Sequence, residues 1–243
     1  MNAEGFSGLK SFFFQSRKMV VFFVWFIIIM FLIFAWIVGE SSGDRTVGVS
    51  ALVCGGSTFL FWNYRAKIRK QYKITWSPRK EFVFVGSLGA AWAECVFWFF
   101  EKWFGAAGVA ASPNLVLDLV ITMPWYVIML FLLYKVETTH HYTFTEVLLL
   151  GGLYELGADG IFGQVLEGLT VPNLFLTVMV FPLFVVVYSV IVLPPTYLLR
   201  KEMSSTRVNK KGHKYWYGLL PLLGLIPFAL YIFILMGLLS ALA

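Results

Sequence analysis

Residues 86–105 are GSLGAAWAECVFWFFEKWFG, and after a short small-residue loop residues 112–134 are SPNLVLDLVITMPWYVIMLFLLY. A related pattern recurs as LLGGLYELGADGIFGQVLEG at residues 149–168 and TVPNLFLTVMVFPLFVVVYSVIVL at residues 170–193. Each copy has a small-residue helix with a central glutamate, a Pro-Asn pair and a second apolar helix interrupted by proline. Because internal repeats are a common basis of polytopic folds, the pattern predicts a duplicated pair of helices.

The alignment of the two copies rests on three matches, with an offset that varies from 58 to 61 residues. The matched pairs are Glu94 with Glu155, Pro113-Asn114 with Pro172-Asn173, and Pro124 with Pro182. The varying offset indicates small insertions between the copies.

The composition is typical of a membrane protein. Hydrophobic residues make up 59% of the 243 residues, and charged residues make up only 13%. Soluble domains usually carry about 25% charged residues. Cys54 and Cys95 lie within apolar runs, where free thiols pack as small hydrophobic groups, so they do not indicate a compartment.

Seven segments are long and apolar enough to be predicted as membrane spans. The sequence therefore predicts an all-α, polytopic integral membrane protein with seven transmembrane helices and a two-helix internal repeat. We divide it into an N-terminal two-span segment with a basic loop (1–81), a duplicated four-helix core (82–199), and a second basic loop with the last span (200–243). The predicted spans are Met19–Gly39, Thr46–Asn63, Phe82–Phe100, Asn114–Tyr134, Val147–Leu166, Asn173–Leu199 and Tyr215–Leu239.

The distribution of basic residues predicts the orientation. With a cytoplasmic N-terminus, 17 of the 19 Lys and Arg fall in inner segments, and only Arg45 and Lys102 fall outside. This positive-inside bias predicts a cell-membrane protein with its C-terminus outside. The basic loops are then topology signals and headgroup contacts, so no nucleic-acid partner is expected. Both glutamate-bearing helices run outward, which makes the predicted repeat parallel.

Four carboxylates lie within predicted spans, where ionisable groups are costly and mark functional sites by default. They are Glu94, Asp118, Glu155 and Asp159. No Lys, Arg or His lies within any predicted span, so each acid is protonated, binds a cation or faces a wet cavity. Small residues at four-residue spacing share a face with Glu94 and with Glu155, which predicts that both point into the helix bundle.

Further oxygen-bearing side chains recur at helical spacing next to these acids. They are Asn114 and Thr122 in the first copy and Asn173 and Thr177 in the second. Together with the carboxylates they would suit a hard cation, which takes oxygen ligands. Hydrogen bonding between helices explains the Asn and Thr residues equally well. The sequence predicts no cofactor and does not identify a metal.

Several familiar chemistries lack their residues. His140, His141 and His213 fall in predicted cytoplasmic loops, and there is no Gly-x-Ser-x-Gly motif or glycine-rich phosphate loop.

The favoured function is a transporter or channel for a cation or proton. One alternative is a membrane enzyme that acts on a lipid or isoprenoid, with a glutamate as general acid and an aromatic wall that stabilises a carbocation. Another is a structural subunit of a membrane complex. The expected partners are the lipid bilayer and either a small cation or a lipid or isoprenoid substrate. The sequence is also compatible with a homo-oligomer or a larger membrane complex.

Overall fold

The computed structural model describes residues 29–158, 171–208 and 213–242, and within these ranges the chain is helical with no strand. Most of the connections that are fully described are short, as expected for neighbouring helices of a bundle. In chain order they are α1 (Ile29–Val38), α2 (Ser42–Gln71), α3 (Pro78–Phe104), α4 (Leu115–Thr139), α5 (Phe144–Ala158), α6 (Val171–Leu198), α7 (Arg200–Ser205), α8 (Lys214–Gly218) and α9 (Leu225–Leu242), with a 3₁₀ turn, Leu220–Gly224, before α9.

Four helical segments in the described ranges are long and apolar enough to cross a membrane: Pro78–Phe104, Leu115–Thr139, Val180–Leu198 and Lys214–Ala241. They correspond to the third, fourth, sixth and seventh predicted spans and indicate a membrane protein. The first predicted span is described only over Ile29–Val38, and the fifth only as far as Ala158. The second predicted span lies in α2, which is not one of the four. The seven-span count, the repeat and the three-part division stay predictions.

Helix α2 runs further than the sequence pattern indicated. The basic segment after the second predicted span is predicted as a loop, but α2 continues through Gln71 before the chain turns. Lys, Arg, Ala and Gln are good helix formers, so the last two turns persist beyond the apolar part. Ser41 begins the helix, with its hydroxyl oxygen accepting a hydrogen bond from the Asp44 amide at 3.4 Å.

The last predicted span is interrupted near its start. Helix α8 ends at Gly218, and the 3₁₀ turn that contains Pro221 leads into α9. Proline supplies no amide hydrogen, so it cannot continue the hydrogen-bond pattern of a preceding helix. Gly224, at the end of this turn, packs so closely against α4 that an added Cβ would lie 2.6 Å from a methyl carbon of Ile128.

Helix α6 lies at the centre of the bundle and packs against α2, α3 and α5. It approaches α3 very closely, so that an added Cβ on Gly89 would lie 2.4 Å from the Val190 carbonyl oxygen. Pro194 stands four residues after Val190 and has no amide hydrogen, so that carbonyl lacks its usual helical donor. The two backbones are therefore in direct contact, which only glycine at position 89 permits.

Replacing Gly89 with alanine is expected to destabilise the protein by about 1–3 kcal/mol, because the new methyl group meets backbone atoms that cannot turn away. The measurement is thermal unfolding of the purified protein in detergent. Gly56→Ala is the matched control, since a Cβ at this helical position meets no atom within 4 Å. The control should leave stability unchanged or raise it slightly. Equal unfolding temperatures for Gly89→Ala and the wild type would contradict the close contact.

Helix α4 continues through Pro124, which leaves the Val120 carbonyl without a donor from its own helix. The Tyr231 hydroxyl of α9 donates a hydrogen bond to that carbonyl at 2.7 Å. The freed carbonyl is thus satisfied by a neighbouring helix, as membrane helices require.

Candidate functional site

A cavity of about 580 Å³ lies between α3, α4, α5 and α6 and contains both of the matched glutamates. Most of its lining is aliphatic or aromatic, and no basic side chain lines it within the described ranges. Its polar groups are Glu94, Thr122, Tyr126, Glu155, Tyr188 and the indole of Trp125, and its other aromatic side chains are Trp36, Phe97, Phe184 and Phe228.

Glu94 enters the cavity from the middle of α3. The Tyr126 hydroxyl of α4 donates a hydrogen bond to Glu94 Oε1 at 2.6 Å. Ala90, one turn before Glu94, is fully buried, so the small-residue face of α3 points into the bundle. The glutamate is therefore held at a fixed position in the cavity wall by a neighbouring helix.

Glu155 enters from α5 and is only 1% exposed. The Trp125 indole Nε1 lies 3.1 Å from Glu155 Oε1 and 3.3 Å from Oε2, and it donates to the carboxylate. Gly151 and Gly152 of the same helix pack against α6, where an added Cβ on Gly152 would lie 2.5 Å from a Val185 methyl carbon. The consecutive residues Trp125 and Tyr126 of α4 thus orient the two glutamates of α5 and α3.

Asp118 is fully buried at the start of α4 but does not line the cavity. Its Oδ1 accepts a hydrogen bond from the Ser112 amide at 3.2 Å. Glu94 is close enough for the two carboxyl groups to interact, although Asp118 Oδ2 makes no hydrogen bond of normal geometry in the described part of the chain. Asp118 therefore fixes the loop before α4 and extends the acidic site behind Glu94.

Asn114 and Thr122 are bound within their own helix. The Asn114 side chain accepts hydrogen bonds from the amides of Val116 at 2.9 Å and Leu117 at 3.2 Å, so Asn114 is the N-cap of α4. Thr122 lines the cavity, but its hydroxyl donates to the Asp118 carbonyl at 3.0 Å.

Three predicted site residues are not placed at the cavity. Asp159 lies outside the described residues. The backbone of Asn173 and Thr177 belongs to α6, but their side chains also lie outside the described part. Their roles stay predictions.

Glu101 has a structural role that the sequence pattern did not indicate. It stands at the end of an apolar run, yet it is only 3% exposed. Its Oε2 accepts hydrogen bonds from the amides of Val109 at 2.8 Å and Ala110 at 2.6 Å. Gly108, Val109 and Ala110 line the cavity, and Gly108 has a φ of 80° that favours glycine. Glu101 therefore holds the connecting loop against one end of the cavity.

Another buried carboxylate lies at the opposite end of α4 from Asp118. Glu137 is fully buried, with its Oε1 accepting a hydrogen bond from the Thr196 hydroxyl at 2.6 Å and its Oε2 lying 3.3 Å from Arg200 Nη1. Arg200 Nη2 also donates to the Tyr142 carbonyl and lies 3.1 Å from His141 Nε2. Since its partners are about 60 residues away, no local spacing could have indicated this cluster.

The basic side chains around Glu137 shift the pKa of a neighbouring histidine. Burial and the positive charges of Arg200, Arg207 and Lys214 lower the pKa of His141 below its ordinary value. Lys214 Nζ is paired with Glu146 Oε1 at 2.6 Å. Glu137 and Glu146 are thus each paired with a basic side chain, whereas no basic side chain lines the described part of the cavity.

Comparison with known protein families, curated proteins and solved structures gives no match.

Proposed function

We propose that the protein is a membrane transporter or channel for a cation or proton, with Glu94 and Glu155 as the charge-binding groups. The observation that carries the proposal is that both glutamates line one cavity, which has no basic side chain in the described part of its lining. An ionised carboxylate in apolar surroundings is costly unless a positive charge accompanies it. A proton or a mobile cation would supply that charge.

The hydrogen bonds around the glutamates support this proposal. Tyr126 and Trp125 are donors, and a carboxylate that accepts hydrogen bonds is stabilised in its charged form. Both donors are neutral groups, and they hold the carboxylates in place. The cavity is therefore suited to exchange a proton for another cation, which is the chemistry that a coupled transporter needs.

The proposal is tested in liposomes that contain the purified protein and a trapped pH-sensitive dye. Gradients of Na⁺, K⁺, Ca²⁺, Mg²⁺, Mn²⁺ or an organic ammonium ion are imposed in turn, with and without a membrane potential. At least one condition should change the internal pH faster than in protein-free liposomes. Rates equal to those of protein-free liposomes under every condition would overturn the proposal.

A second candidate is a membrane enzyme that modifies a lipid or isoprenoid. It is favoured by an open apolar groove of about 660 Å³ along α4, to which Val120, Met123, Pro124, Val127 and Tyr231 contribute. A hydrocarbon chain fits such a groove. In this reaction class a protonated Glu94 or Glu155 would donate its proton to a double bond, and the aromatic lining would stabilise the resulting carbocation. Conversion of a lipid by the purified protein, without any cation flux, would favour this candidate.

The wider architecture forms part of the proposal. We propose seven spans with a cytoplasmic N-terminus and an external C-terminus in the cell membrane, because this orientation places 17 of the 19 Lys and Arg inside. The loop held by Glu101 then faces outward. We also propose the parallel repeat and assign Asp159, Asn173 and Thr177 to the second half of the site. Helix α9 contacts the bundle sparsely, which leaves it free to meet lipid, a second copy or another subunit.

A further inference from the structure

We infer that the cation bound in this cavity is an organic ammonium ion with apolar substituents, held by the two glutamates and by aromatic rings. This inference rests on the proposed function and names its class of substrate. It depends on the size of the cavity, the composition of its lining and the ligands that each class of cation requires.

The volume of the cavity suits an organic molecule. Ligand pockets typically measure about 300–1,000 Å³, whereas one water molecule occupies about 30 Å³ in the liquid. A single metal ion would leave most of the 580 Å³ to solvent or lipid. A substituted ammonium ion instead places apolar groups against the aliphatic and aromatic walls.

The lining offers few oxygen ligands for a metal. Hard cations such as Ca²⁺ take about 6–8 oxygen ligands. In the described lining, carboxylate oxygens, the strongest ligands of a hard cation, come only from Glu94 and Glu155. Within the described ranges, no group of three or more His, Cys, Asp or Glu side chains is placed to hold a metal ion.

The aromatic content of the lining is high and belongs to several helices. Phe97 comes from α3, Trp125 and Tyr126 from α4, Phe184 from α6 and Phe228 from α9. Aromatic side chains that surround a pocket recognise quaternary ammonium groups through cation–π attraction, which strengthens when water is excluded. Two carboxylates and several rings around one cavity therefore match the chemistry of an ammonium ion.

The test compares benzyltrimethylammonium with its neutral isostere neopentylbenzene, in which carbon replaces the charged nitrogen. A ligand raises the unfolding temperature of the state it binds. We expect benzyltrimethylammonium, but not neopentylbenzene, to raise the unfolding temperature of the wild type in detergent. A similar rise with the neutral isostere would overturn the inference and identify an apolar pocket. If a metal ion raises the unfolding temperature and benzyltrimethylammonium does not, the inference is overturned and the cavity is a metal site.

Ring-removing variants test the aromatic contribution. Phe97→Leu and Phe184→Leu should each weaken binding of benzyltrimethylammonium by about 5- to 30-fold, the range that one desolvated cation–π contact supplies. Phe99→Leu is the control, because Phe99 is on the same helix as Phe97 but is 48% exposed and does not line the cavity. Unchanged affinity in both test variants would exclude an aromatic role and overturn the inference.

The liposome measurement separates failure of this inference from failure of the proposed function. If metal ions or a membrane potential drive flux but benzyltrimethylammonium neither binds nor changes the internal pH, the inference fails while the transporter stands. If no cation drives flux although benzyltrimethylammonium binds, the cavity is an ammonium-binding site and the proposed transport fails.

Discussion

Replacing both Glu94 and Glu155 with glutamine is expected to abolish the cation-driven change of internal pH in liposomes. Glutamine has nearly the same size as glutamate and can still accept the hydrogen bonds from Tyr126 and Trp125, so the packing of the cavity should persist. The substitution removes the negative charge and the exchangeable proton. Each single variant should reduce the rate strongly, and the double variant should equal protein-free liposomes.

The control for the double variant is Glu40→Gln, which changes an exposed acid that does not line the cavity. It should transport at the wild-type rate. The unfolding temperature without ligand should be near that of the wild type in all variants, and the rise caused by the bound cation should disappear in the double variant. Normal transport by the double variant would show that the glutamates are structural. If the double variant does not fold, Tyr126→Phe is the variant to measure, because it keeps the ring and removes the hydrogen bond to Glu94. Transport by Tyr126→Phe at the wild-type rate would contradict the role of Glu94.

Arg200→Ala is expected to give the largest loss of stability among single substitutions at the ion pairs. It removes the ion-pair partner of the fully buried Glu137. In the described part of the chain, the carboxylate then keeps the Thr196 hydroxyl as a side-chain donor, while Arg207 donates to the Glu137 backbone carbonyl at 3.3 Å. Breaking a buried ion pair typically costs about 3–5 kcal/mol. We expect about 3 kcal/mol, at the lower end of that range, because the Arg200 side chain is 22% exposed. The measurement is thermal or denaturant-induced unfolding in detergent.

Arg69→Ala provides a matched control, since Arg69 and Glu202 form an ion pair at 2.6 Å in which both side chains are more than 20% exposed. Such pairs usually contribute about 0–1 kcal/mol. Adding Glu137→Gln to Arg200→Ala should recover much of the lost stability, because a neutral amide needs no cation and can still accept from Thr196. Equal losses for Arg200→Ala and Arg69→Ala would contradict the special role of the buried carboxylate.

The helical class and the membrane character could be predicted because they depend on composition and on long apolar runs. The inward direction of Glu94 and Glu155 followed from the small residues that share their helix faces. The site that they share with Trp125 and Tyr126 is less accessible to sequence reasoning, because the Trp125–Glu155 contact joins residues 30 positions apart on separate helices. The functional roles of these residues stay predictions.

The features that sequence reasoning missed depend on tertiary contacts. Glu101 follows an apolar run at a helix end, a pattern typical of an interfacial charge, and only the folded loop shows that its carboxylate is enclosed by amides. Glu137 has Lys135 beside it in the sequence but pairs with Arg200, which a different helix brings near. Helix α2 continues beyond its apolar part because the polar residues that follow are good helix formers. Hydropathy alone therefore predicted the end of this helix too early.

The backbone contact between Gly89 and Val190 determines which parts of the bundle can move relative to each other. Side chains can change rotamer when helices slide, but two touching backbones have no such freedom, so shear between α3 and α6 is blocked at this point. The tight packing of Gly152 on Val185 couples α5 to α6 in the same way. The two contacts thus restrict sliding among the three helices α3, α5 and α6, two of which carry the glutamates. If the proposed transport takes place, we expect the cavity to change its access by movement of α4, α9 and the loop before α4 relative to these helices.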